Sequence, residues 1–359
     1  MPEIAGLPFR ELHLDQTGHV TKHVAPFQPQ ITDVLVFAHG WNNDYNDAHD
    51  LHDSFFEKMV EVLLQHTAKR AVRPGLIGVF WPSILWPRDE PPIETTGVPS
   101  FGPTGRNWSE ELKKAFPTAA QRHAIARMRE LIDTRPTHPE VLTEFQQSLA
   151  VLKPASMPPE TAEQRAIFEE DPAAVFDSLA GEERSPQAVN GYPAQYARIW
   201  RGAREAARIV CYWAMRERAQ NIGESGLRPF LTTLPPALRL HLVGHGFGAR
   251  MVYSAVRAGA SNVKSLYLLQ PALLPQDVQD AAINVDGPVL LVDRTAGAST
   301  ELLPPGSDYR FDKGKTLHVN GGRVLTDASW PPGAHTDIIH QEIAWAGLLA
   351  AGIVVPATR

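Results

Sequence analysis

The feature that most constrains this chain is a repeated alternation of short, unbroken apolar runs with helical patterns. The runs are Asp33-Val-Leu-Val-Phe-Ala, Gly75-Leu-Ile-Gly-Val-Phe, Leu238-Arg-Leu-His-Leu-Val, Val263-Lys-Ser-Leu-Tyr-Leu-Leu, Pro288-Val-Leu-Leu-Val and Thr316-Leu-His-Val. Strands apolar on both faces belong in a sheet covered on both sides, and intervening helices supply the crossovers that parallel pairing requires. The helical patterns fall over 48–65, 196–219, 248–258 and 338–351. The second of these sets Ile199, Ala203, Ala206, Val210 and Trp213 on one face. The sequence therefore predicts an α/β fold, a mostly parallel sheet with helices on both faces. At the start, Arg10-Glu-Leu-His-Leu-Asp and Gly18-His-Val-Thr-Lys, split by Gln16-Thr-Gly, predict a leading antiparallel hairpin.

One stretch breaks the alternation. Of 31 prolines, 14 lie between Ile84 and Pro193, where no long apolar strand occurs. Its periodic segments, 118–133, 140–152 and 160–180, read as short amphipathic helices between breakers such as Thr134-Arg-Pro-Thr-His-Pro and Lys153-Pro-Ala-Ser-Met-Pro-Pro. The expected organisation is a core of 1–83 and 194–359 carrying a Pro-rich helical insertion at 84–193. Long insertions often serve as lids, so a cap is expected, with short helices that depend on docking for stability.

Composition removes several function classes. With 34 Lys/Arg against 40 Asp/Glu, the net charge of −6 and the lack of a basic block argue against a nucleic-acid surface or a polybasic membrane patch. A single cysteine, Cys211, allows no internal disulfide and no thiolate metal cage, and its place in a helical pattern suggests inert core. His49 and His52, three apart in an acidic helix start, lack the spacing of a zinc-binding His-Glu-x-x-His, so no metal is expected. No secretory signal and no transmembrane run is visible, which gives the expectation of a cytoplasmic protein. Trp81, Trp86 and Trp108 are candidates to line an apolar pocket.

The chemistry turns on Leu242-Val-Gly-His-Gly-Phe-Gly-Ala-Arg, where a strand meets a helix through three glycines in five residues. Gly244-x-Gly246-x-x-Ala249 fits a dinucleotide fingerprint, but that motif wants an acid at the end of the next strand. Here that strand reads Leu266-Tyr-Leu-Leu-Gln-Pro, without one. The other reading is a nucleophile elbow, Gly-x-Ser-x-Gly, with Gly246 where serine belongs and small residues at Gly244 and Gly248. Upstream, Val36-Phe-Ala-His-Gly-Trp-Asn-Asn ends a strand in a His-Gly pair. Downstream, Asp293 ends another strand, and His335 sits in Pro332-Gly-Ala-His-Thr-Asp, between the last strand and the last helix.

These three motifs, in this order, resemble the α/β-hydrolase superfamily over 30–83 and 196–355. The resemblance implies an α/β-hydrolase fold and a serine-hydrolase ancestry on ester, thioester or amide bonds. It implies backbone N–H groups of Trp41 and Phe247 as the oxyanion hole, Gly246 at the nucleophile position, Asp293 as acid and His335 as base. Asp337 is the rival for the acid. His39, Gly40 and His245 are expected to border a small, apolar acyl ligand, with no cofactor. Glycine has no nucleophile, so the chain as written is expected to be inactive in acyl transfer. Three accounts follow: a Ser-to-Gly variant of an active hydrolase, a natural pseudoenzyme that binds a ligand or partner, and a cofactor-free acid/base enzyme using His335 and Asp293.

Overall fold

The apolar runs become the strands of one sheet. The computed structural model describes residues 2–41, 43–65, 72–83, 108–153, 162–180, 192–269, 273, 285–286, 289–293, 315–318 and 324–326. In chain order the strands are β1 (Glu3–Ile4), β2 (Leu7–His13), β3 (Asp33–Ala38), β4 (Pro74–Phe80), β5 (Arg239–His245), β6 (Val263–Leu269), β7 (Val289–Asp293), β8 (Lys315–His318) and β9 (Val324–Thr326). They lie side by side as β1-β2-β4-β3-β5-β6-β7-β8-β9. The six strands from β2 to β7 form a parallel block, and β1 at one edge and β8 and β9 at the other pair antiparallel. The result is an α/β architecture with a mostly parallel mixed sheet. Every residue of β3 and β4 is buried, as the unbroken apolar runs require of central strands.

The leading hairpin does not form as expected. Strand β2 pairs antiparallel with β1 and parallel with β4, and Gly18–Lys22 contributes only a bridge, Leu14 to Val20. On the edge away from β4 the pairing with this segment is confined to that bridge, with the Thr21 N–H donating to the His13 carbonyl and the Asp15 N–H to that of His19. The Asp15 side chain closes the turn by accepting from the N–H groups of Thr17 and His19.

The described residues divide into two compact units, one holding those of Met1–Ser83 and those from Arg218 onward, the other those of Ile84–Glu217. In the first unit, α1 (Tyr45–Gln65) lays Phe55, Phe56, Met59 and Val62 onto Leu35, Phe37, Leu76 and Val243. Helix α8 (Arg228–Thr233) precedes β5, and helix α9 (Phe247–Arg257) follows it.

The second unit contains α2 (Trp108–Ala115), α3 (Ala119–Thr134), α4 (Pro139–Val151), α5 (Ala162–Glu169), α6 (Pro172–Leu179) and most of α7 (Ala194–Ile222). A single helix over 160–180 is replaced by two, because Pro172 lacks an N–H while the Asp171 side chain accepts from the Ala174 N–H and starts a new turn. These helices pack on one another. Phe145 meets both Phe176 and Trp200 edge-on at 5.7 and 5.6 Å, and Arg127 grips Glu144 with two bonds of 2.7 Å. The unit extends past the expected boundary at 193 to Glu217, because the first half of α7 belongs to this packing. There Trp200 donates to the Pro136 carbonyl and Arg198 pairs with Asp177. The face of α7 predicted to be apolar is buried throughout. Among the described residues no helix is long and apolar enough to cross a membrane.

Candidate active site

Strand order decides where a site can form. The connection from β3 through α1 runs to β4 on one side, whereas that from β5 through α9 runs to β6 on the other. Right-handed crossovers in opposite directions put α1 and α9 on opposite faces and open a crevice beyond the carboxyl ends of β3 and β5. There Gly40 and Trp41 follow β3, and Gly246 and Phe247 follow His245, the last residue of β5. Five of the sequence-predicted site residues thus come to one point.

The turn from β5 into α9 is sharp. Gly246 has φ 54° and ψ −116°, a conformation that costs any residue with a Cβ on the order of 1–3 kcal/mol. Its N–H donates to the Leu269 carbonyl at 2.9 Å, which ties the turn to β6. Gly248 follows in the first turn of α9, and a Cβ there would stand 2.0 Å from the Ala38 carbonyl oxygen. Helix α9 therefore approaches the end of β3 more closely than any side chain allows. The Trp41 and Phe247 rings lie 6.0 Å apart.

The loop after β3 is held from several directions. His39 is buried, and its Nδ1–H donates to the Gly40 carbonyl at 2.9 Å. Asn43 Nδ2 donates to the same carbonyl at 3.1 Å and to that of Trp41 at 3.1 Å. The Asn43 backbone in turn exchanges two bonds with the Ser83 hydroxyl, at 3.1 and 2.7 Å. Trp81 Nε1 donates to the His39 carbonyl at 3.1 Å, so this tryptophan is a strut of the loop. His39 and His245 are only 1% and 4% exposed, which makes them walls behind the crevice more than ligand contacts.

Behind His39 lies His52 of α1, fully buried, with ring centroids 5.7 Å apart. Neither ring nitrogen of His52 meets the geometry of a hydrogen bond, the Phe37 backbone being the polar group that acts on the ring. Burial lowers the His39 pKa to about 4, helped by nearby His245 and opposed by the Gly40 carbonyl. Burial also holds His52 well below the ordinary histidine value, with His39 and His49 adding to the effect and the Phe37 backbone opposing it. Both are neutral at pH 7. His49 pairs with Asp53 at 3.2 Å, and among the described residues no group of three or more His, Cys, Asp or Glu side chains is arranged to hold a metal ion.

A second constellation, at the opposite end of the same strands, escaped the sequence. Asp33 opens β3, and its carboxylate accepts from His241 Nε2 on β5 at 2.9 Å; His241 Nδ1 lies 2.9 Å from the Ser265 hydroxyl on β6. All three are buried. Serine, imidazole and carboxylate are thus connected in the order hydrolysis uses, but inside the sheet. No local pattern announces residues that parallel pairing alone brings together.

Of the remaining predicted residues, Asp293 ends β7, two strands from β5, and its side chain lies outside the described residues. His335, Asp337, Asn42, Trp86, the side chain of Trp108 and the helix predicted over 338–351 lie outside them as well. Cys211 is fully buried in α7. Comparison with protein-family models, curated proteins and solved structures finds no match to this chain.

Proposed function

We propose that the crevice at the ends of β3 and β5 is an acyl-binding site of α/β-hydrolase type whose nucleophile position is held by glycine. The observation that carries this reading is the backbone of Gly246, at φ 54° and ψ −116° between a central parallel strand and the helix after it. For a residue with a Cβ this backbone is strained, and it is the conformation in which an elbow between strand and helix presents a nucleophile to a ligand; glycine holds it here without that cost. In this reading the Trp41 and Phe247 N–H groups bind the acyl oxygen, His335 serves as base and Asp293 orients it. Without a hydroxyl at 246 no acyl-enzyme forms, so the chain binds esters or carboxylates and does not turn them over.

The test restores the missing atom. Gly246→Ser is expected to hydrolyse short acyl esters, and His335→Ala in that background to lower kcat by two or more orders of magnitude, roughly the cost of losing a general base. A folded Gly246→Ser protein that stays inert on a broad ester panel refutes the hydrolase ancestry and leaves a ligand-binding role for the crevice.

A further inference from the structure

We infer that Asn43, braced by Ser83 and assisted by His39, sets the direction of the Trp41 N–H and so positions one of the two anion donors of the crevice. This rests on the proposed reading of that crevice as an acyl-oxygen site. The argument is one of peptide geometry. The Gly40 carbonyl and the Trp41 N–H belong to a single planar unit, trans like every other peptide of the described chain, so the two point in opposite directions. Whatever fixes the carbonyl fixes the N–H.

Two donors fix it: His39 Nδ1 at 2.9 Å and Asn43 Nδ2 at 3.1 Å. Gly40 itself gives little steering, because glycine tolerates almost any rotation of the adjoining peptide. Its neighbours supply the restraint that it lacks. Asn43 would swing with the loop were its backbone not held at both N–H and C=O by the Ser83 hydroxyl in the loop after β4. The brace reaches further, since the Pro82 carbonyl accepts from Arg218 Nη1 at 2.9 Å. A donor aimed in advance at the oxyanion spends no free energy on reorienting when charge develops. Asn43 and Ser83 are positioning residues, because they act through the peptide and not on the ligand.

The experiment uses the chain as it stands, with its tryptophan and phenylalanine amides ¹⁵N-labelled, and sodium butyrate as the carboxylate probe. Butyrate is expected to move both the Trp41 and Phe247 amide resonances. The isosteric Asn43→Asp keeps the volume but cannot donate to the Gly40 carbonyl. It should abolish the Trp41 response, leave that of Phe247, and weaken butyrate binding about ten-fold, the rough cost of one hydrogen bond to a charged group. Ser83→Ala should act in the same direction to a smaller degree, and it carries the test if Asn43→Asp does not fold. A Trp41 response that survives in the folded variants overturns the positioning role and leaves the anion site standing. If butyrate moves neither amide in the unaltered chain, the anion site falls, and the positioning role with it.

Discussion

Two histidine clusters occupy one face of the same sheet, and they are built on opposite principles. At the amino ends of the strands, His241 is hydrogen-bonded on both nitrogens, to Asp33 and to Ser265. At the carboxyl ends, His52 is equally buried and bonded on neither, and His39 spends its proton on a backbone carbonyl. Between them lie Leu35, Phe37, Val243 and Tyr267, an apolar layer that keeps the two apart. A fully satisfied buried network stabilises, whereas a partly satisfied one costs stability and survives where it serves something else. The first cluster belongs to the architecture. The second lies directly behind the loop that carries Trp41.

The largest effect should come at the carboxyl end, from a residue with no side chain. Gly248→Val would place carbon against the Ala38 and His39 carbonyl oxygens, which are backbone and cannot turn away. Helix α9 could then not seat against β3, and the expected outcome is no soluble folded protein, read by circular dichroism and size-exclusion chromatography. Recovery of a folded Gly248→Val protein would mean that strand and helix are not held together at this turn.

Asp33→Ala comes next. It strips His241 of its carboxylate inside the sheet, and losing a buried hydrogen bond to a charged group costs about 2–3 kcal/mol. The denaturant midpoint should fall accordingly, while the butyrate response of Trp41 and Phe247 stays as in the unaltered chain. A change in that response would join two clusters that the apolar layer is taken to separate.

How much of this was legible beforehand follows the same division. The expected strands at Asp33–Ala38 and Val263–Leu269 have those limits in the structure, because a run buried on both faces carries its signal in every residue. The glycine-rich turn was legible for a related reason, since few residues other than glycine fit it. The leading hairpin was misread because alternation within Arg10–Leu14 reports a half-buried strand and not its partner. The Asp33–His241–Ser265 array was invisible because it joins three strands far apart in sequence. The link from Asn43 to Ser83 was hidden likewise, as it joins loops after two different strands.

Acid sharpens the comparison further. His39 has a pKa of about 4 in the folded protein, against 6.5 for an unburied histidine, and His52 is lowered as well. The unfolded chain therefore binds protons first, so stability is complete above about pH 6.5 and declines as pH falls toward 4. His39 alone contributes a loss on the order of 3 kcal/mol across that window. Among the described residues, Asp47 favours the proton on His39, while His245 and His49 oppose charging of the cluster. Urea melts at pH 7 and pH 4.5 should show the decline in the unaltered chain. A flat profile would mean that the carboxyl-end cluster is accessible to protons while folded.

The smallest effect separates the two histidines from each other. His52→Leu keeps most of the ring's volume and removes two buried nitrogens that meet no hydrogen-bond geometry. Such a change relieves a desolvation cost and is expected to raise stability by about 1 kcal/mol at pH 7. It should also shrink the acid-dependent loss, because one of the two titrating groups is gone. The same substitution logic at the other end, His241→Leu, would take a buried hydrogen-bond partner from both Asp33 and Ser265 and should destabilise. Opposite signs for two histidine-to-leucine changes on one sheet face would establish that the clusters differ in kind. If His52→Leu destabilises as His241→Leu does, then His52 is held by an interaction its geometry does not display. The acid sensitivity of the carboxyl end would then rest on His39 alone.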